Sequence, residues 1–435
     1  MSEFTPVLIT LPNATAPALS AEILPYGLFV RSIYVVADGK THVRDIVVNP
    51  FDPKENAKGR SFLNPVVGRY TNRVPAEKMT VERLGAKAEV TPIATESPTV
   101  SLHGGPKGFD IAIWEHVPVK QATLFSSSET EALPEGSAAI FRHISPDGDE
   151  GYPGKLTTEV LFAIVPPSKN QPFQLGSVLI VYRYKVEGKD GADIVTPVNL
   201  THHWGFNLDA SLTAPGEPTP DVKSQLLTIK AENTLELDSV GLATGKLSPT
   251  AGTPYEHNDT PIGQNFPSKG YDEFYLINPV APPDAQPTRL SLSNVGGTNL
   301  VEPLLTSGPG NHPVVLRSTK TGLKLGFDSN REFEHGRVFN SGRPIRLTVR
   351  ELVRRSMEDP RMERDTRRMV SVKVHCVGAI VSYYAITAGA FLEFHDPLAA
   401  WLHSYGAEPH VIDTLLHSSE LGHAYVRLDV LYEKP

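Results

Sequence analysis

A single cysteine, Cys376, among 435 residues excludes an internal disulfide framework and suits a reducing compartment. Basic residues are not in excess either: 41 Lys and Arg stand against 49 Asp and Glu, a formal net charge of −8. The electrostatic footprint of a nucleic-acid binder is therefore missing. Long apolar runs are scarce. The best candidate, Cys376 to Leu392, is 17 residues without a charge, but it contains Ser382, Tyr383, Tyr384, Thr387, Gly378 and Gly389. Two buried strands joined by a tight bend explain it better than a membrane span. The opening residues, Met1 to Pro6, lack the basic and apolar regions of a signal peptide, and the chain reads as cytoplasmic. No dinucleotide fingerprint or short repeat is present, and the histidines are too scattered for a metal site to be read from spacing.

What is abundant is punctuation. Thirty-eight Pro and 34 Gly separate short runs rich in Val, Ile, Leu, Thr and Tyr, which is the pattern of an all-β chain. Ala21 to Pro25, Phe29 to Val36, Thr157 to Val165 and Val178 to Val186 are the clearest strands. Strand-dense chains bury their faces by packing sheet on sheet. Residues 1–435 read as one domain, with surface excursions near 121–137 (Ser/Glu-rich), 279–287 (Pro-rich) and 343–368 (Arg-rich, among acidic residues). A short helix is expected at Leu347 to Met357, before Pro360. The Arg-rich segment reads either as a solvated charged insertion or as a partner or phosphate site.

Val198 to Leu208 places two histidines in a strand-like segment. Successive strand side chains point to opposite faces, so Asn199, Thr201 and His203 share a polar face while Leu200, His202 and Trp204 share an apolar one. His203 is thereby the candidate for chemistry and His202 for packing. Both being hydrogen-bonded core histidines is the plainer alternative. In Ser101-Leu102-His103-Gly104-Gly105 the glycines permit close backbone approach, which can set His103 at the lip of a cavity or simply make a turn. Asn72 and Arg73 present an amide and a guanidinium side by side, suited to several hydroxyls or to an ordinary ion pair. Glu393 interrupts a long uncharged run, and a buried carboxylate marks either function or a specific partner.

Taken in order, these segments resemble the aldose 1-epimerase (galactose mutarotase) family. The resemblance rests on Gly68 to Arg73, Leu102 to Phe109, Ser145 to Gly154, Asn199 to Leu208, Gly270-Tyr271-Asp272 and Leu392-Glu393. It implies one large twisted β-sandwich with a sugar cleft on a concave sheet. The departures from the family pattern are His202-His203-Trp204-Gly205, Asp272-Glu273, Arg337 and Phe394-His395. By the resemblance, Glu393 is the general base and His203 the general acid, while Asn72, Arg73, His103 and Asp272 bind the sugar. The substrate would be an aldose, with no cofactor or metal, no nucleic-acid or membrane partner, and a monomer or weak homodimer as the assembly. Mutarotation itself needs only a base for the C1 hydroxyl and an acid for the ring oxygen. Three other readings stay open: a hexose-6-phosphate mutarotase, for which Arg69 and Arg337 are possible phosphate ligands, a glycosidase pairing Asp272 with Glu393, and a non-catalytic sugar-binding protein of the same fold.

Overall fold

The structure is a computed structural model. It describes all residues except 1, 13–16, 38–41, 51, 59, 61, 170, 172, 213–219, 269, 278–285, 311, 331–342, 350–388, 404, 406–413 and 435, and only the backbone of 343–349. Two antiparallel sheets dominate. The larger has ten described strands, and its central members are Ala138–Ser145, Lys155–Val165, Gln174–Glu187, Glu420–Tyr432 and Leu323–Ser329 in that spatial order. The second has six, in the order Trp204–Phe206, Ala390–Phe394, Arg343–Val349, Tyr271–Ile277, Ala231–Leu237 and Ala243–Pro249. A four-stranded sheet from the N-terminal segment, Val7 to Asp45, adds Ile23, Val30 and Ile33 to the same core.

Strand periodicity explains how the core closes. Phe141, Val160, Tyr182 and Ala424 are register neighbours across four strands and point inward. They meet Trp204, Phe206, Leu392 and Phe394 of the second sheet in one buried cluster. Each large apolar side chain among them contributes about 1.5–3 kcal/mol when removed from water. The next row, Ile140, Leu161, Val181 and Tyr425, points the other way and is also buried, against Phe125, Val301 and Leu304. Both faces of the large sheet are covered, so its strands are continuous apolar runs rather than alternating ones.

Residues 121–137 supply part of that outer cover. The segment holds a helix, Ser127–Glu131, closed by a capping box between Ser126 and Glu129. Its Glu129 pairs with the equally buried Arg183 at 2.7 Å. The apolar anchors Leu124 and Phe125, hidden among Ser and Glu, hold it on the sheet. At Leu347 to Val349, the described start of the expected helix, the chain is instead the end of a strand, Arg343–Val349, between Ala390–Phe394 and Tyr271–Ile277. Those two strands leave a gap that only a paired backbone satisfies. The rest of the Arg-rich segment, the 376–388 part of the uncharged run and most of 279–287 lie outside the described residues.

Candidate functional site

The strand expected at Val198 to Leu208 is present but broken at His203, between Thr201–His202 and Trp204–Phe206. His202 turns into the core. Its Nε2 donates to the Leu28 carbonyl at 3.0 Å and its Nδ1 accepts from the Tyr182 hydroxyl at 2.7 Å. Burial pushes its imidazole down to about 4. The opposite face works as a clamp. Asn199 exchanges two hydrogen bonds with the backbone of Asp396, and the Thr201 hydroxyl both donates to and accepts from the backbone of Phe394. These contacts fix the chain on either side of His395. Asn64 holds the other flank, accepting from the Gly205 N–H and donating to the Val48 carbonyl.

His203 and Glu393 are brought together, with Nε2 and Oε1 3.3 Å apart. Glu393 is fully buried, and its Oε2 accepts from Asn72 Nδ2 at 3.3 Å. The same Asn72 nitrogen lies 3.2 Å from His395 Nε2. Asn72 also reaches His103 twice: its backbone N–H donates to His103 Nδ1 at 3.2 Å, and its carbonyl accepts from the His103 backbone N–H at 3.1 Å. A ring nitrogen that accepts carries no proton, so the neutral His103 ring bears its hydrogen on Nε2. Asn72 and His103 both have left-handed backbones, with φ of 60° and 52°. Gly104 makes this possible, since a Cβ there would lie 2.0 Å from the Gly68 carbonyl oxygen.

Around this centre, rings and one guanidinium form walls. Phe62 lies against His103 with centroids 4.6 Å apart and 6.2 Å from His203, and Phe391 is 5.5 Å from His203 on the other side. Arg60 stacks over Phe62 at 4.9 Å and is held by both oxygens of Asp110 and by the carbonyls of Gly105 and Pro106. Burial raises the Asp110 carboxyl even beside that arginine. Arg73 is gripped by Glu96 through Nε and Nη2. The turn at Gly241, φ +84°, packs on its stem, where a Cβ would come within 2.8 Å of Cδ.

Asp272 enters by register. Gly205, Phe391, Thr348 and Asp272 are successive partners across the second sheet, and Glu393 lies two residues beyond Phe391 on its strand. Asp272 therefore shares the face of Phe391 and Glu393. Phe274 confirms the face, with its ring 6.0 Å from that of His395.

Asn72, Arg69 and Glu273 are each engaged by the protein itself. Asn72, expected to touch sugar, is fully buried and donates inward to Glu393 and His395. Arg69, a possible phosphate ligand, is 2% exposed, and its guanidinium is spent on Ser145, Pro146, Tyr152 and Pro153. Burial lowers it to about 10, with Asp149 opposing. Glu273 follows Asp272 on the opposite face, hydrogen-bonded to Tyr255 and raised by burial, so it does not line the site. Arg337 lies outside the described residues. Sequence reading missed Phe62, Arg60, Asn64, Glu96 and the part played by His395. Only His395 carried a signal, as a departure beside Glu393.

The second sheet thus presents a buried histidine–carboxylate pair, flanked by a further histidine and a clamped arginine, which is an arrangement equipped for acid–base chemistry. The family model described as aldose 1-epimerase matches residues 8–296, and the chain belongs to that family. A galactose mutarotase from Sus scrofa is 27% identical over 263 residues, covering 60% of this chain and 64% of that protein. An aldose 1-epimerase from Escherichia coli K12 is 27% identical over 279 residues, with coverages of 62% and 68%. The chain thus matches less than two thirds of the length of the Sus scrofa relative. Among solved structures, an aldose epimerase homologue from C. elegans superposes with a TM-score of 0.62 at 16% identity, covering 98% of this chain and 99% of that one. A galactose 1-epimerase from Lactobacillus acidophilus gives 0.60 at 16% identity, with the same coverages. These superpositions establish the fold. Glu393 and His395 lie beyond residue 296, so their place in the site rests on geometry. Among the described residues, no helix is long and apolar enough to cross a membrane.

Proposed function

We propose that the protein interconverts the α and β anomers of an aldose by acid–base ring opening. The observation that carries this reading is the 3.3 Å approach of His203 Nε2 to Glu393 Oε1 at the centre of the site. Ionised Glu393 takes the proton of the C1 hydroxyl while protonated His203 delivers one to the ring oxygen, and the C1–O5 bond opens to the aldehyde. Rotation about C1–C2 presents the other carbonyl face. On closure the O5 hydroxyl returns its proton to His203 and Glu393 returns its proton to O1. Both residues recover their starting states, with no redox change. A positioned acid or base contributes on the order of 10²–10⁴ in rate.

His103 suits a donor role through Nε2–H, toward the ring oxygen or O1. Arg73 and Asp272 hold the remaining hydroxyls, and Phe62 and Phe391 exclude water. The family relationship and the names of the relatives support an aldose as substrate. Of the two arginines considered for a phosphate, Arg69 is committed to the 145–154 turn, and Arg337 lies outside the described residues. Polarimetry of freshly dissolved α-D-glucose and α-D-galactose, with the spontaneous rate subtracted, tests the proposal. Acceleration of at least one sugar is expected; the buffer rate for every aldose tested would overturn it.

A further inference from the structure

His395 is fully buried, and it reaches the centre of the site through the side chain of Asn72. Its Nδ1 lies 2.7 Å from the Asp396 carbonyl oxygen. A carbonyl only accepts, so Nδ1 carries a hydrogen and Nε2 of the neutral ring is left with its lone pair. That carbonyl cannot drift, because Asn199 Nδ2 donates to it as well at 3.0 Å, and Thr201 fixes the backbone of Phe394 two residues earlier. The Phe274 ring packs on the imidazole. The lone pair of Nε2 thus has a defined requirement, an N–H donor. Asn72 Nδ2 supplies it.

The consequence is felt at Glu393. A carboxamide rotated by 180° exchanges oxygen for nitrogen at almost the same positions, and the two orientations differ only in their hydrogen bonds. With nitrogen toward the site, Asn72 donates one hydrogen to His395 Nε2 and the other to Glu393 Oε2. With oxygen there, it would oppose both the imidazole lone pair and the carboxylate. We infer that His395 is a positioning residue: its Nε2 lone pair selects the amide orientation in which Asn72 donates to Glu393, and so aims and steadies the carboxylate that faces His203. This inference rests on the proposed acid–base role of Glu393. The Asn72 backbone is anchored to His103 in both directions, which fixes the stem that carries that amide.

The test compares His395→Leu, which keeps bulk but cannot accept, with His395→Gln, which can accept through Oε1. In the full-length protein, His395→Leu is expected to lower kcat about five- to tenfold, the range of one buried neutral hydrogen bond, with KM changed less than about twofold. His395→Gln is expected to recover most of that loss at similar thermal stability. Equal impairment of both variants, or full activity of His395→Leu, would overturn the inference. A readout independent of turnover is hydrogen exchange of the Asn72 side-chain amide in a ¹H–¹⁵N spectrum. Two protected hydrogens are expected in the wild type and His395→Gln, and one in His395→Leu; unchanged protection in His395→Leu would contradict the inference. A wild-type protein that fails to accelerate mutarotation overturns the proposed reaction, while the amide spectrum still decides the role of His395.

Discussion

Replacing His202 by Asn separates the two adjacent histidines by thermodynamics rather than by activity. The imidazole is 1% exposed and bridges the Tyr182 hydroxyl and the Leu28 carbonyl, with its ring against Phe162 at 5.3 Å. Asn is shorter and cannot reach both partners, so at least one buried polar group loses its bond, at about 1–3 kcal/mol, and lost ring packing adds to that. At pH 7 we expect the variant to be less stable by roughly 2–4 kcal/mol. The folded imidazole is lowered from 6.5 to about 4, so between those values the unfolded chain binds a proton that the folded protein does not. Wild-type stability therefore falls as pH drops from 6.5 to 4, by up to about 3 kcal/mol from this residue, and is flat in this contribution above 6.5 and below 4. The variant lacks the contribution. Two other histidines, the half-buried His143 and the buried His257, are likewise lowered to about 4, but they are common to both proteins and cancel in the difference. Denaturant unfolding of both proteins from about pH 4 to 8 should show the gap in stability shrinking steadily on acidification below the ordinary imidazole range. A gap that stays constant throughout would refute the assignment of His202 as a buried neutral core residue.

His203→Asn should remove most of the catalysed rate, about 10²–10⁴, with little change in melting temperature, while His202→Asn stays active wherever it is folded; the reverse ranking in polarimetry would reject the face assignment. If Glu393 must be ionised and His203 protonated, kcat/KM is bell-shaped with pH, and His203→Asn should lose the alkaline limb. Arg69→Met should cost more than about 3 kcal/mol in chemical denaturation, because it strips the hydrogen bonds from several buried carbonyls of the 145–154 turn. Little loss of stability together with a selective rise in KM for a sugar phosphate would return Arg69 to a ligand role.

Local periodicity reveals which face a residue occupies, and this made the grouping of Asn199, Thr201 and His203 legible in the sequence. It says nothing about what stands opposite. The clamp from Asn199 and Thr201 to residues 394–396 spans almost 200 positions, and the bond from Asn72 to His395 spans 323. Arg69 and Arg73 are chemically alike and four residues apart, yet one is consumed by backbone carbonyls and the other is pinned by Glu96. Only the convergence of the 145–154 turn distinguishes them. The segment 121–137 was obscured for a different reason. Its Ser and Glu content is that of a loop, but Glu129 is satisfied by the capping box and by Arg183, and Leu124 and Phe125 carry the packing.

The most direct measurement is the mutarotation rate of Glu393→Gln beside wild type, with melting temperature and sugar affinity determined on the same samples. Gln keeps the shape and one acceptor but cannot take the C1 proton. The account predicts a folded variant whose kcat falls by roughly 10²–10⁴ while sugar affinity changes little. A folded variant with wild-type turnover would contradict it.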